Sequence, residues 1–436
     1  MTIAILGGGL TGVTLARLLR EQGDDVVVLE AGNGIGGLCR SRTEAGFTFD
    51  TGGSHIIFSR DTEVLGFMQD VLGQNKDIRN RNTKIFYKHR YIKYPFENGL
   101  AELPKEDLFF CINEFIRTLI AREKQEIAQP ETFRDWIYYT FGKGIAELYM
   151  IPYNEKIWNF PTAEMSKHWV EGRVPIPPVE DVIRSAIGIE TEGYTHQAVF
   201  TYPVHGGIEA LVNAIAAPVQ DTIITGFTVT SVGRSGEQWV VGDGSREIVA
   251  DECICTIPLQ ELFLCLTGVP GRVQAAVDAL RYNAVCCVCI GVKGNVSGIS
   301  WLYIPDPADG LENRISFPSN YSVAVAPGKH GAILAEITYN EGDPVSCMSD
   351  RELVDHICTS LERMNIISRE DVVFTHVTRN SFAYVVYDLH YPENIRTIRD
   401  YCASIGLPLV GRFAQFEYLN MDGCIRSVID FVRSRA

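Results

Sequence analysis

An α/β fold in two domains, each assembled from separated stretches of chain, follows from three features of the 436-residue sequence. The first is a strand–turn–helix–strand block over residues 1–30 whose turn has GxGxxG spacing. The second is a mostly helical pattern from about 100 to 195. The third is the return of short strand patterns beyond 220, closing on a helix at about 421–434. A chain of this length exceeds one ordinary core. Blocks of β-α-β interrupted by a separate helical and sheet region point to discontinuous domains. The expected division gives 1–83, 196–275 and 395–436 to a Rossmann-like domain. Residues 84–195 and 276–394 then form a substrate domain of antiparallel sheet plus helical bundle.

The N-terminal block is the most informative. Ile3 to Leu6 is a short apolar strand, followed by Gly7-Gly8-Gly9-Leu10-Thr11-Gly12 and an amphipathic helix. Gly7, Gly9 and Gly12 at this spacing set backbone N–H groups and a helix N-terminus against a pyrophosphate. A second strand, Val26 to Leu29, ends in Glu30, which is placed to bind an adenosine ribose hydroxyl. Such a unit fits NAD or FAD alike. Residues 84–94 read as a hairpin. Phe133, Trp136, Ile137 and Phe141 mark one buried helix face, with Gly142 punctuating its end. Strands are expected at 223–224, 228–232, 239–241 and 253–257, and again at 284–292, 300–304, 322–326, 333–338 and 373–378.

Composition excludes several function classes. Lys plus Arg number 39 against 54 Asp plus Glu, a net charge of −15. That argues against bulk attraction to nucleic acid or anionic lipid. No apolar run approaches the ~18–20 residues of a membrane span, and the N-terminus reads as a strand rather than a secretion signal. A cytoplasmic protein is expected. The locally basic stretch Lys76 to Lys93 reads as a solvated hairpin edge. Cys286 and Cys289 form a CxxC pair, yet within a strand they point to opposite faces. No further ligand follows at zinc spacing, so the twelve cysteines read as buried free thiols and no metal site is expected.

Gly34-Ile35-Gly36-Gly37-Leu38-Cys39-Arg40-Ser41 and Gly46-Phe47-Thr48-Phe49-Asp50-Thr51-Gly52-Gly53 come soon after Glu30. Together they resemble the extended FAD fingerprint of the amine oxidase and protoporphyrinogen oxidase superfamily, so the nucleotide domain is expected to bind FAD. Tyr202 through Gly206-Gly207 and Cys255 to Pro258 look like later segments of that domain. Gly53-Ser54-His55-Ile56-Ile57-Phe58-Ser59 resembles the histidine loop of the UDP-galactopyranose mutases. Tyr94-Pro95-Phe96-Glu97-Asn98, Pro152 to Trp158, Trp169 to Val174, Trp301 to Pro305, Arg314 and Ser319 to Ser322 extend that resemblance. It ends with Gly411-Arg412-Phe413 through Tyr418-Leu419-Asn420-Met421-Asp422 and covers nearly the whole chain. Departures are Glu97, where the eukaryotic pattern has glutamine, Ser54, which is additional, and Ala383-Tyr384-Val385, a loose match to a Gly-Tyr-Pro element.

The resemblance implies a nucleotide-sugar isomerase that works through covalent catalysis by reduced flavin, with no net redox change. It assigns FAD contacts to Gly36, Gly37, Leu38, Gly52, Gly53, His55, Gly206, Gly207, Gly411, Arg412 and Asn420, besides Gly7, Gly9, Gly12 and Glu30. His55, Arg173 and Arg314 are the expected catalytic residues. Chemistry agrees with this, since two arginines suit a diphosphate clamp. Tyr94, Tyr153 and Trp158 offer flat faces for a base. Tyr303, Tyr321, Tyr384 and Tyr418 offer hydroxyls for phosphate or sugar, and Asn154 completes the substrate set. A UDP-sugar and a reductant for the flavin are the implied partners, and the sequence carries no sign of oligomeric state. The alternative is an FAD-dependent oxidase or dehydrogenase of an amine or tetrapyrrole. Against it, the chain lacks the Gly-Ala-x-x-Ser-Gly block with which monoamine oxidases usually cover their flavin.

Overall fold

The computed structural model describes residues 1–170, 174–191 and 198–435. Arg173 therefore lies outside the described residues. The N-terminal block forms a parallel sheet with the strand order Glu252–Cys255, Thr2–Leu6, Asp25–Leu29 and Ile223–Ile224. Ile3, Ile5, Val26 and Val28 pack on one face against Leu15 and Leu19 of the helix Leu10–Glu21 and Val428 of the terminal helix Met421–Arg435. Ala4, Leu6 and Leu29 belong to the core on the other face. Burial on both sides explains why these strands read as continuous apolar runs rather than alternating ones.

The second sheet has seven strands, ordered Val372–Val386, Arg281–Lys293, His330–Tyr339, Arg314–Ser316, Trp301–Tyr303, Thr83–Tyr87 and Arg90–Lys93. Neighbours run antiparallel except Trp301–Tyr303 beside Thr83–Tyr87. Cys287 and Cys289 face one core, while Cys286, Val288 and Ile290 face another, covered by Leu353, Ile357 and Leu361 of the helix Asp350–Arg363. Cys286 and Cys289 thus sit on opposite faces, as strand alternation requires. All twelve cysteines are unpaired, and Cys347 is exposed.

Two expectations need correction. Residues 322–326 are not a strand: Val323–Val325 is a 3-10 turn whose Ala324 N–H donates to Ser322 Oγ at 3.1 Å. A hydroxyl that caps a turn competes successfully with strand pairing. Gly142 does not end its helix either. Its φ of 72° interrupts Phe133–Ile145, but the helix resumes and leads through a π-type turn, Ala146–Met150, into Ile151–Trp158. A Cβ there would lie 2.7 Å from Glu114 O, so glycine permits close approach of the helix Lys105–Glu123. No helix among the described residues is long and apolar enough to cross a membrane.

Candidate active site

The glycine cradle is built by two loops pressed together. Gly36 N–H donates to Gly8 O at 2.8 Å, and Gly9 and Gly36 run side by side. A Cβ on Gly12 would sit 1.9 Å from Gly7 O, and one on Gly52 would sit 2.3 Å from Leu38 O. Only hydrogen fits at either place. Gly9 is different, because a Cβ there meets nothing within 4 Å and would project into open space. The helix Leu10–Glu21 starts at Gly9 with no side-chain cap and no acid in its first turn. Its first N–H groups are thus left for an anion. Glu30, at the strand end, accepts Gly8 N–H and Gly32 N–H at 2.7 Å each. Uncapped helix end, open glycine and carboxylate together fit the pyrophosphate and ribose of a dinucleotide.

The cradle opens into a cavity of about 1050 Å³, and residues distant in sequence close around it. Gly7, Gly9, Glu30, Gly36, Gly37, Leu38, Gly52, His55, Tyr303, Arg314, Tyr384, Arg412, Tyr418 and Asn420 all line it. Arg314 is gripped fork to fork by Glu336, with Nε to Oε1 at 3.0 Å and NH2 to Oε2 at 2.6 Å. Arg412 donates to Leu419 O at 2.7 Å and Ala383 O at 2.6 Å, and its guanidinium lies 4.7 Å from the Tyr418 ring centre. Its buried Nε has no hydrogen-bond partner among the described residues, the kind of donor a ligand satisfies. Tyr384 and Tyr418 stack 5.8 Å apart.

His55 sits where the loop after Gly53 meets the cavity. Burial, assisted by the Arg314 and Arg412 charges, lowers its pKa from 6.5 to about 4, against the opposing pull of Gly53 O and Glu336. The ring is therefore neutral at pH 7. Nδ1 lies 2.8 Å from Gly53 O and must carry the proton, which leaves Nε2 as an acceptor.

Several expected contacts sit behind this wall. Gly53 stays off the cavity, its place for a Cβ 3.0 Å from Glu336 Oε2. Gly411 packs on Thr11, and Gly12 on Gly7. Gly206 and Gly207 do not line the cavity; they are turn residues, at φ 84° and 62°, and a Cβ on Gly207 would lie 2.3 Å from Ser41 Oγ. Their turn delivers Ile208 N–H to the buried carboxylate of Asp50, which also accepts from Tyr202 and Ser41. Tyr321 is 1% exposed and stacks on Trp301, its hydroxyl donating to Ser300 O. A strand-edge backbone carbonyl has taken the group expected for substrate. Asn154 folds back onto Met150 O at 2.7 Å, a bond to the turn that leads into its helix. Tyr94 and Tyr153 pack on Tyr303, and Trp158 packs on Tyr384 and Tyr418, so these three shape the wall from behind.

Glu336 and Arg81 line the cavity unforeseen. Glu336 had a legible signal: a carboxylate inside the apolar strand His330–Tyr339 is rarely buried without a partner. Arg81 was hidden within the basic stretch, much of which does lie on the edge hairpin. Its guanidinium lies 5.3 Å from the Tyr94 ring and 5.2 Å from Trp301. The additional Ser54 proves structural, its N–H donating to Glu336 and its hydroxyl bonding Tyr321.

Comparison with known proteins agrees with this geometry. A solved structure of reduced UDP-galactopyranose mutase superposes with a TM-score of 0.91 and 26% identity, covering all of this chain and 96% of that one. A putative protoporphyrinogen oxidase from Exiguobacterium superposes at 0.78 with 16% identity over 98% of its length, a likeness of fold alone. In sequence, the UDP-galactopyranose mutase of Mycoplasma pneumoniae is 24% identical over 192 residues, 39% of this chain and 44% of that protein. The match thus spans less than half of that relative. Residues 10–427 match the model of the flavin-containing amine oxidoreductases. With its glycine cradle, its FAD-binding fold and a match over nearly its whole length, the chain belongs to the flavin-containing amine oxidoreductase family.

Proposed function

We propose that this protein interconverts UDP-galactopyranose and UDP-galactofuranose, using FAD held in the reduced state. The observation that carries the reading is one cavity that joins the glycine cradle to Arg314, Arg412, Tyr303, Tyr384 and Tyr418. An oxidase of an apolar substrate has no need of two guanidiniums beside three tyrosines, whereas a sugar diphosphate uses both. The overlay on a mutase supports it further.

The cradle residues Gly7 and Gly9, the helix end at Leu10 and Glu30 would hold FAD. When bound and reduced, FAD supplies a nucleophile that makes and releases a covalent bond to the sugar. The chain's own residues do the rest. Arg314 and, in this reading, Arg173 balance the diphosphate charge, first in the substrate and then in the departing UDP. Tyr384 and Tyr418, braced by Trp158, position the diphosphate or sugar hydroxyls. Neutral His55 accepts a hydrogen bond at Nε2. A reductant and a cytoplasmic setting belong to the same reading, and unpaired cysteines suit a reducing compartment.

The test is made under anaerobic conditions. Dithionite-reduced protein should convert UDP-galactofuranose largely to UDP-galactopyranose, with the flavin still reduced afterwards, while oxidised protein stays inert. If UDP-sugars are left untouched and an amine or porphyrinogen instead bleaches the oxidised protein, the oxidase reading replaces this one.

A further inference from the structure

Lys156 stands on the helix Ile151–Trp158 between Tyr153 and Trp158, two residues of the cavity wall. Its ammonium crosses to another element, where Nζ donates to Ile304 O at 2.8 Å and to Asp306 O at 3.4 Å. Both carbonyls belong to residues 304–313, the turn that joins the strand Trp301–Tyr303 to the strand Arg314–Ser316. Ile304 N–H donates to Asn313 O at 3.1 Å and closes that turn at its base. Inside the turn lies Glu312, fully buried, whose two carboxylate oxygens have no hydrogen-bond partner among the described residues. His356 does not supply one. Its Nε2 lies 3.5 Å from Glu312 Oε2 but already accepts Leu311 N–H at 3.0 Å, so the proton of the neutral ring is on Nδ1. A buried carboxylate without a donor needs a cation. Of the charges acting on Lys156, that of Glu312 is the strongest.

We propose that Lys156 is a positioning residue, a latch that holds Tyr153 and Trp158 on the helix in fixed relation to Tyr303 and Arg314 on either side of the turn. Tyr153 and Tyr303 pack with ring centres 5.1 Å apart, so the cavity wall is made where these two elements meet. The end of the helix is tied to the large sheet by neutral bonds. Thr338 Oγ1 donates to Lys156 O at 2.9 Å, and Asn283 Nδ2 donates to Ile157 O at 3.0 Å and Trp158 O at 3.1 Å. These three bonds hold the helix but do not reach the turn, which the ammonium does. Several charges surround it. Burial works most strongly against the charge on Lys156, Glu312, Asp309 and Asp306 of the turn favour it, and Arg363 of the helix Asp350–Arg363 opposes it, which brings the pKa from 10.5 down to about 8. Further out, His356 stands beside Glu312, His89 acts on Asp309, and Asp306 acts on Tyr87. The latch is therefore closed at pH 7. As pH rises through about 8 the amine loses the charge that strengthens both bonds and balances Glu312. The ligand that feels this, a UDP-sugar, rests on the function proposed above.

Two measurements on the full-length, FAD-loaded protein test the latch, one of them without ligand. In amide exchange followed by mass spectrometry and corrected for the intrinsic rate, wild-type protection of residues 304–313 should fall about fivefold between pH 7 and pH 9. The strand Thr2–Leu6 should keep its protection. Lys156→Met should show the loss already at pH 7, and Lys156→Arg, whose charge does not titrate, should show it at neither pH. UDP binding by calorimetry should follow the same order. Wild-type affinity should be about tenfold weaker at pH 9 than at pH 7, with Lys156→Met weak at both and Lys156→Arg level. FAD content should be equal in all three, and if Lys156→Met does not hold FAD, wild type and Lys156→Arg compared across pH decide. Wild-type protection and UDP affinity in Lys156→Met overturn the proposal, and so does an alkaline fall that persists in Lys156→Arg. A wild type that binds no UDP at any pH removes the UDP-sugar reading instead, and amide protection then decides the latch alone.

Discussion

Arg314 and Glu336 are register partners on neighbouring antiparallel strands, and their side chains close a two-bond fork inside the cavity. Glu336 is almost wholly buried, and its Oε1 also accepts Ser54 N–H at 3.0 Å. The arginine expected to clamp a diphosphate is thus already neutralised and fixed in direction. Breaking one side of a buried pair costs about 3–5 kcal/mol, because the remaining charge is stranded. Arg314→Ala should lower the unfolding free energy in urea by that order. Arg314→Met with Glu336→Leu should recover much of it. An Arg314→Ala protein as stable as wild type would show that the pair is not closed in solution.

Removing only the negative partner should act on ligand as well as on stability, since it strands Arg314 in turn. Glu336→Gln leaves Arg314 as an uncompensated cation facing the cavity. UDP affinity, measured by calorimetry, should rise by up to about tenfold, or about 1.4 kcal/mol. A fall in affinity would mean that Glu336 works by orienting the guanidinium, and that its charge does not oppose the ligand.

Glu97 gives a prediction in pH. It is buried in the turn Phe96–Asn98, off the cavity, and burial raises its pKa from 4.5 to about 7. The folded state therefore holds this proton more tightly than the unfolded chain. Stability from Glu97 is present in full below pH 4.5 and is lost as pH rises through about 7. Glu97→Gln should stabilise the protein by about 2–3 kcal/mol at pH 8 and scarcely at pH 4. Equal effects at both values would deny that the carboxyl titrates in this window.

The cradle is tested through the cofactor. Gly12→Ala places a methyl 1.9 Å from Gly7 O, where backbone must move. The wild type should be isolated yellow and should release FAD, not FMN, on denaturation. Gly12→Ala should lose most of that absorbance. Full flavin content in the variant would place the cofactor's phosphates elsewhere.

Trp158 separates bracing from binding. It is 3% exposed and packs on Trp169, Tyr384 and Tyr418. Trp158→Ala should cost about 3–5 kcal/mol of stability and weaken UDP binding through a loosened tyrosine wall, while Trp158→Phe restores most of both. Weakened binding with no loss of stability would make the indole a direct contact.

The sequence by itself determined the features that depend on neighbouring residues. Glycine spacing from Gly7 to Gly12, the strand ending in Glu30 and the helix from Leu10 are local, because turn geometry and helix nucleation involve residues a few positions apart. The opposite facing of Cys286 and Cys289 was legible for the same reason. Tertiary structure decided whatever depends on pairing between distant segments. Strand register set Glu336 against Arg314, 22 positions away. Strand-edge packing turned Tyr321 inward onto Trp301 and Ser300, and the turn at Gly207 delivered Ile208 N–H to Asp50. Arg81 left its basic stretch for two aromatic rings drawn from elsewhere in the chain. A one-residue slip in register sends a side chain to the opposite face of a sheet. The direction in which each of these residues points is therefore a property of the assembled sheets, which no local pattern encodes.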